Sequence, residues 1–257
     1  MKCHLSRFPF ESLNNCYPII YDMLKAENLT KTFGNHTALD NLNLEIKQGE
    51  VFCLLGSNGA GKSTTINIFL GFIPATSGCA FIDGQEVTLN NHATRDLVAY
   101  IPEIVNLYAT LSGMENLEFF SGLSGYSYTK DELTHFMETA GLQRSAIHKR
   151  VSSYSKGMRQ KVGIAIALVK KAKALFLDEP TSGLDPHASS EFSQIITNLS
   201  QQGVSTLMAT HDLLMAKNLG TRIGIMHQGA LKHNLLADEV SHTELTKLYI
   251  DIVKQNV

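Results

Sequence analysis

Residues 56–64 read GSNGAGKST, and this stretch limits the fold most tightly. Three glycines in six positions are followed at once by a lysine and two hydroxyls, then by an apolar, helix-like run, INIFLGF. Just before it stands VFCLL (51–55), a continuous apolar run of strand length. A buried strand that turns through glycines into a helix belongs to a sheet flanked by helices, and its turn suits a bound anion.

The loop fits G-x-x-x-x-G-K-[ST]. Gly56, Gly59 and Gly61 tolerate positive φ and carry no Cβ, so backbone N–H groups running through Ser57, Asn58 and Ala60 can converge on phosphate oxygens. The following helix adds the positive end of its dipole. Lys62 brings a point charge to the β- and γ-phosphates, Ser63 a hydroxyl for Mg²⁺, and Thr64 a hydroxyl toward the α-phosphate side. Each charge-assisted hydrogen bond of this kind contributes about 1.5–3 kcal/mol.

The rest of the chain alternates strand and helix patterns. MLKAENLTKTFG from Met23 is strand-like, and LNLEIK (42–47) has a period of two; together they predict a small antiparallel sheet. VAYI (98–101), ALFLD (174–178) and VSTLMAT (204–210) read as short strands, the latter two central and parallel. KVGIAIALV (161–169) reads as a buried helix and HASSEFSQIITNLSQ as another helix. After RIGIMHQG, only one short helix is expected. The fold class is α/β, a mainly parallel, doubly wound core with a small antiparallel subdomain and an inserted helical subdomain. The expected organisation is a tail at 1–22, one domain at 23–235 with its helical insertion at about 104–165, and a short helical extension at 236–257. Met23 is a candidate natural start.

LFLDEP (175–180) closes a buried strand with two carboxylates at the edge where such sheets bind ligands. Asp178 is placed to hold the Mg²⁺ shell, and Glu179 to polarise an attacking water. His211 follows the next apolar strand; parallel strands end on one edge, so it can donate to the γ-phosphate or steady the water.

Composition narrows the surroundings. In 257 residues, 44% are hydrophobic and 18% charged, ordinary for a chain with a sizeable core. A net charge of −2 offers no basic field for nucleic acid or anionic lipid. No apolar run reaches the roughly 18–20 residues needed to span a bilayer, so any membrane role passes through a partner. The cysteines, Cys3, Cys16, Cys53 and Cys79, form no C-x-x-C pair and fit a reduced setting.

YSKGMRQK (154–161) and SGLD (182–185), taken with GSNGAGKST, LFLDEP and the TH of 210–211, resemble an ABC-type ATPase, the nucleotide-binding subunit of ATP-binding-cassette transporters. The likeness runs from about Leu24 to the low 230s. The variant Y-S-K-G-M-R-Q resembles the branch serving ABC-2-type permeases, mostly exporters. The resemblance implies a head-to-tail dimer of two copies around two ATP, with Mg²⁺. Each ATP then lies between the P-loop of one copy and the signature loop (Ser155, Lys156, Gly157, Met158) of the other. Ser155 supplies a hydroxyl and Gly157 an unobstructed amide, although a serine there is also an ordinary helix cap. Lys156 and Met158 depart from the family's Gly and Gln; Lys156 either adds charge near the γ-phosphate or points to solvent. The neighbouring Arg144, Lys149, Arg150, Arg159 and Lys161 read more readily as a solvated face.

The resemblance also places Glu103 where the family has a Gln that contacts Mg²⁺ and water. A carboxylate can still ligate the metal but adds negative charge. Phe33 matches the aromatic that stacks on adenine, or is an ordinary strand aromatic. Asp185 would link the two sites across the dimer. Residues 106–123 fall where the family receives a helix from the permease; their aromatics line that groove or form the insertion's own core. The implied partner is a separate transmembrane permease, and the implied location is the cytoplasmic face of the cell membrane. Two rival readings remain: a soluble ABC ATPase serving assembly or repair, and a nucleotide-gated scaffold with negligible hydrolysis.

Overall fold

The computed structural model describes residues 22–254. The expected tail at 1–22 lies outside the described residues, apart from Asp22, which opens the first strand and is followed there by buried Met23.

Two long strands, β1 (Asp22–Phe33) and β2 (His36–Lys47), pair antiparallel around a tight turn. In β2, Leu42, Leu44 and Ile46 are buried while Asn43, Glu45 and Lys47 face out, as the period of two predicts. Then come β3 (Val51–Leu55), α1 (Lys62–Phe69), β4 (Ser77–Ile82), β5 (Gln85–Glu86), α2 (His92–Asp96) and β6 (Val98–Ile101). The helical insertion follows with α3 (Gly113–Leu123), α4 (Lys130–Thr139), α5 (Arg144–Ile147) and α6 (Lys156–Val169). The chain closes with β7 (Ala174–Asp178), α7 (Pro186–Gln201), β8 (Ser205–Thr210), α8 (Leu213–Leu219), β9 (Arg222–His227), β10 (Ala230–Leu236) and α9 (His242–Lys254).

These strands form two sheets. The four-stranded sheet runs β2-β1-β4-β5 and is antiparallel throughout. The six-stranded sheet runs β10-β9-β3-β8-β7-β6, with every pair parallel except β9 with β10. All five residues of β3 are buried, and they alternate between two cores. Phe52 and Leu54 join the core that holds α1 between the sheets, with Leu24, Leu44, Ile66 and Phe69. Val51, Cys53 and Leu55 join the core on the opposite face, which continues into α6, α7, α8 and the insertion. A strand covered on both faces must be apolar at every position, which explains VFCLL.

One expectation needs correction. Beyond β9 there is a strand, β10, as well as a helix, and that helix spans 13 residues. Cys53 is free and buried, and its burial pushes the thiol pKa up.

Candidate functional site

Sheet order builds the site. β3, β8, β7 and β6 are successive neighbours and all parallel, so their C-terminal ends open on one edge. At that edge β3 delivers the glycine loop, β8 delivers His211, β7 delivers Asp178 and Glu179, and β6 leads to Glu103. The loop is tied to its neighbour by Gly56 N–H donating to the Thr210 carbonyl at 3.2 Å. Phe33, the loop residues Ser57 to Thr64, Glu103, Asp178 and Glu179 line one cleft.

Two loop glycines are demanded for different reasons. Gly61, at the N-cap of α1, has φ 107, and a Cβ there would stand 2.6 Å from the Ala38 carbonyl oxygen. Gly56 has no positive φ; there the constraint is space, since a Cβ would lie 2.6 Å from the Met226 carbonyl oxygen and 2.9 Å from the Ala60 Cβ.

Lys62 is almost wholly buried, its side chain 6% exposed. Its Nζ donates to the carbonyls of Gly56 at 2.6 Å and Ser57 at 3.2 Å, folding the ammonium back into its own loop. It also lies 3.5 Å from Glu179 Oε1. Asp178 is partly buried, and burial is the main reason its carboxyl sits above the usual range. A hydrogen bond from Ser63 opposes this, Glu179 and Glu103 add to it, and Lys62 opposes it.

Glu179 sits at φ 46, a left-handed conformation uncommon for a residue with a side chain. Its own N–H donates to the Ala209 carbonyl at 2.9 Å, and its carbonyl accepts from Ser182 N–H at 3.2 Å. Such backbone strain persists where surrounding contacts overdetermine it, often at functional sites. The carboxylate is asymmetric: Oε2 lies 2.9 Å from His211 Nδ1, while Oε1 is buried with no hydrogen-bond partner. Sequence reasoning aimed His211 at phosphate or water; here it first orients Glu179.

The signature loop is the N-terminus of α6. Ser155 is its cap, its Oγ accepting from Met158 N–H at 3.3 Å. Gly157 is half-buried and faces Leu184 and Ala188. Lys156 is partly exposed, and its Nζ lies 3.8 Å from Glu103 Oε1. Asp185 caps α7, accepting from Ala188 N–H at 2.9 Å. Phe33 is half-exposed at the end of β1, with Lys31 Nζ 4.8 Å from its ring centre. The basic cluster is mixed: Lys161 pairs with Glu191 at 2.9 Å, and Arg159 donates to the Val151 carbonyl at 3.5 Å.

Sequence reasoning missed two residues. Buried Gln160 donates through Nε2 to the carbonyls of Glu103 at 3.2 Å and Pro102 at 3.4 Å, pinning the insertion to the end of β6. A glutamine one turn before a wholly apolar helix face was the available signal. Ser182 Oγ donates to Glu103 Oε1 at 2.9 Å, and nothing in its spacing announced that. Residues 106–123 divide: Met114 and Leu117 are core, while Tyr108, Phe119 and Leu123 are exposed. Buried Asn116 holds Tyr108 by both its N–H and its carbonyl, at 2.8 and 3.0 Å.

Comparison with known proteins gives consistent matches. The family described as ABC transporter matches residues 39–182. The chain is 34% identical over 235 residues to the bacitracin transport ATP-binding protein BcrA of Bacillus licheniformis, spanning 91% of this chain and 76% of BcrA. It is 37% identical to the lantibiotic transport ATP-binding protein SrtF of Streptococcus pyogenes, spanning 81% of this chain and 89% of SrtF. Among solved structures, cbiO1 from Clostridium perfringens, part of the ABC transporter complex cbiONQ, superposes with a TM-score of 0.77 at 25% identity over 91% of this chain and 94% of that one. The ATP-binding cassette MJ0796, solved as a dimer in a post-hydrolysis state with ADP and Pi, gives 0.74 at 27% identity over 84% and 99%.

Proposed function

The chain belongs to the ABC transporter family, as an ATP-binding subunit that hydrolyses ATP, and from that premise we propose which residues do the work and what the hydrolysis drives. Two copies pair head to tail around two ATP. In each site the P-loop, Gly56 to Thr64, cradles the phosphates, with Phe33 against the adenine. Ser155, Lys156, Gly157 and Met158 of the other copy complete the site, and Asp185 links the two. The observation that carries this reading is the convergence of four catalytic loops on the ends of four adjacent parallel strands.

Lys62 exchanges its bonds to the Gly56 and Ser57 carbonyls for phosphate oxygens. Glu179 is the general base. His211 holds one carboxylate oxygen; the other, buried without a hydrogen bond and 3.5 Å from the Lys62 ammonium, takes a proton from water once Lys62 turns to the phosphates. The water oxygen bonds to the γ-phosphorus as the bond to the bridging oxygen breaks, giving ADP and phosphate; the proton passes to Glu179. Magnesium, when bound, offsets the charge on the β- and γ-phosphates. Ser63, Asp178 and Glu103 are the side chains that would hold it. They fit in donor type: Ser63, hydrogen-bonded to Asp178, and Glu103 line one cleft with it, and magnesium in phosphate sites takes one or two carboxylates, the rest of its shell being phosphate and water.

Hydrolysis drives a separate membrane permease of the ABC-2 type, in an exporter. The names of BcrA and SrtF support transport over a soluble assembly or repair role. Among the described residues no helix is long and apolar enough to cross a membrane; the chain's place on the inner face, through its permease, is supported by the transport names of BcrA and SrtF. Exposed Tyr108, Phe119 and Leu123 form the docking patch.

The test is Glu179→Gln. It should bind ATP with near wild-type affinity, lose about 100-fold or more in turnover, and shift to dimer mass by light scattering with ATP and magnesium. Persistent wild-type turnover, with activity lost instead in Glu103→Gln, would move the base to Glu103.

A further inference from the structure

Lys156 has a role in its own protomer that the reading above leaves unused. Glu103 Oε1 accepts from Ser182 Oγ at 2.9 Å and lies 3.8 Å from Lys156 Nζ. A Cβ on Gly183 would stand 4.0 Å from the same Nζ, so the ammonium also lies close to the turn that follows Glu179. Gln160, one helical turn beyond Lys156, binds the Glu103 carbonyl and so fixes the approach of α6 to this loop. One carboxylate thus joins three segments: the end of β6, the start of α6 and the turn after β7.

The chemistry at that junction is unbalanced without the lysine. Glu103 lines the same cleft as the P-loop and Asp178, where nucleotide phosphates would add further negative charge. A carboxylate facing phosphates weakens their binding unless a cation offsets it.

We propose that Lys156 is a positioning residue acting in cis: its ammonium neutralises Glu103 and, with Ser182, holds that carboxylate against the turn after β7. The nucleotide phosphates of the same protomer then meet a neutralised acid. The proposal rests on the reading of the P-loop as the phosphate site.

A double-mutant cycle read by ADP tests it, using calorimetric titration of protein verified as monomeric, so that no partner signature loop contributes. Lys156→Met should weaken ADP binding about two- to fivefold at low ionic strength. The loss should shrink at high salt, and Lys156→Arg should restore binding. In a Glu103→Gln background the same Lys156→Met change should have no effect, because its target is gone. Unchanged ADP affinity in Lys156→Met overturns the proposal, as does an equal loss in both backgrounds. Failure of the wild type to bind ADP would instead sink the nucleotide reading, so the two failures are distinguishable.

Discussion

At Gly56 a side chain has no room, because a Cβ would press on the Met226 carbonyl and the Ala60 methyl. Both neighbours are main chain or a rigid stub, so the strain cannot be relieved by a rotamer change. Gly56→Ala should therefore lose roughly 1–3 kcal/mol of stability together with nucleotide binding. Asn58→Ala, two residues on and exposed, should stay within about 0.5 kcal/mol. Thermal unfolding with and without ATP measures both. The G-x-x-x-x-G spacing was legible in the sequence, but the reason for its first glycine was not, since Met226 is distant in the chain. The same holds for Glu179: its position after a buried strand was readable, whereas its left-handed backbone and the ion pair of its buried oxygen with Lys62 depend on neighbours from β8 and α1.

At the scale of elements, three helices are capped by their own sequence. α3, α4 and α9 each follow a Ser or Thr with Glu three residues on: Ser112 with Glu115, Thr129 with Glu132, Ser241 with Glu244. Hydrogen bonds from the Ser112 backbone and side chain hold the Glu115 carboxyl below its usual range. A depressed acid contributes stability above its unfolded pKa and loses it as pH falls through the folded value. Glu115→Ala should accordingly lower the urea midpoint at neutral pH, with the gap to wild type narrowing below about pH 4. Ser112→Ala should cost about 1 kcal/mol in the same assay. The element that escaped notice, β10, lies at the sheet edge with no fully buried residue. Its place is fixed by backbone pairing with β9, which leaves no hydrophobic period to read.

At the scale of the whole molecule, the insertion carries an exposed apolar patch. Tyr108 and Phe119 stack edge to face at 5.0 Å, and Leu123 is 68% exposed. Leu123→Asp should change stability by less than about 0.5 kcal/mol and leave ATP hydrolysis by the isolated protein intact. It should reduce the fraction of protein recovered with membranes of the producing cell. Unaltered membrane recovery would remove this patch as the docking surface.

The sequence alone determined the phosphate loop, the acidic strand end and the alternating α/β order, because each is written within about ten consecutive residues and needs only local backbone geometry. Tertiary structure decided the partners: Lys156 with Glu103, Ser182 with that same carboxylate, His211 with Glu179, Gln160 with the end of β6. Those contacts join side chains separated by dozens of residues, and only the order of parallel strands brings their loops to one edge. Charge and hydrogen bonding act through distance in space, which chain spacing does not record once the loops belong to different strands.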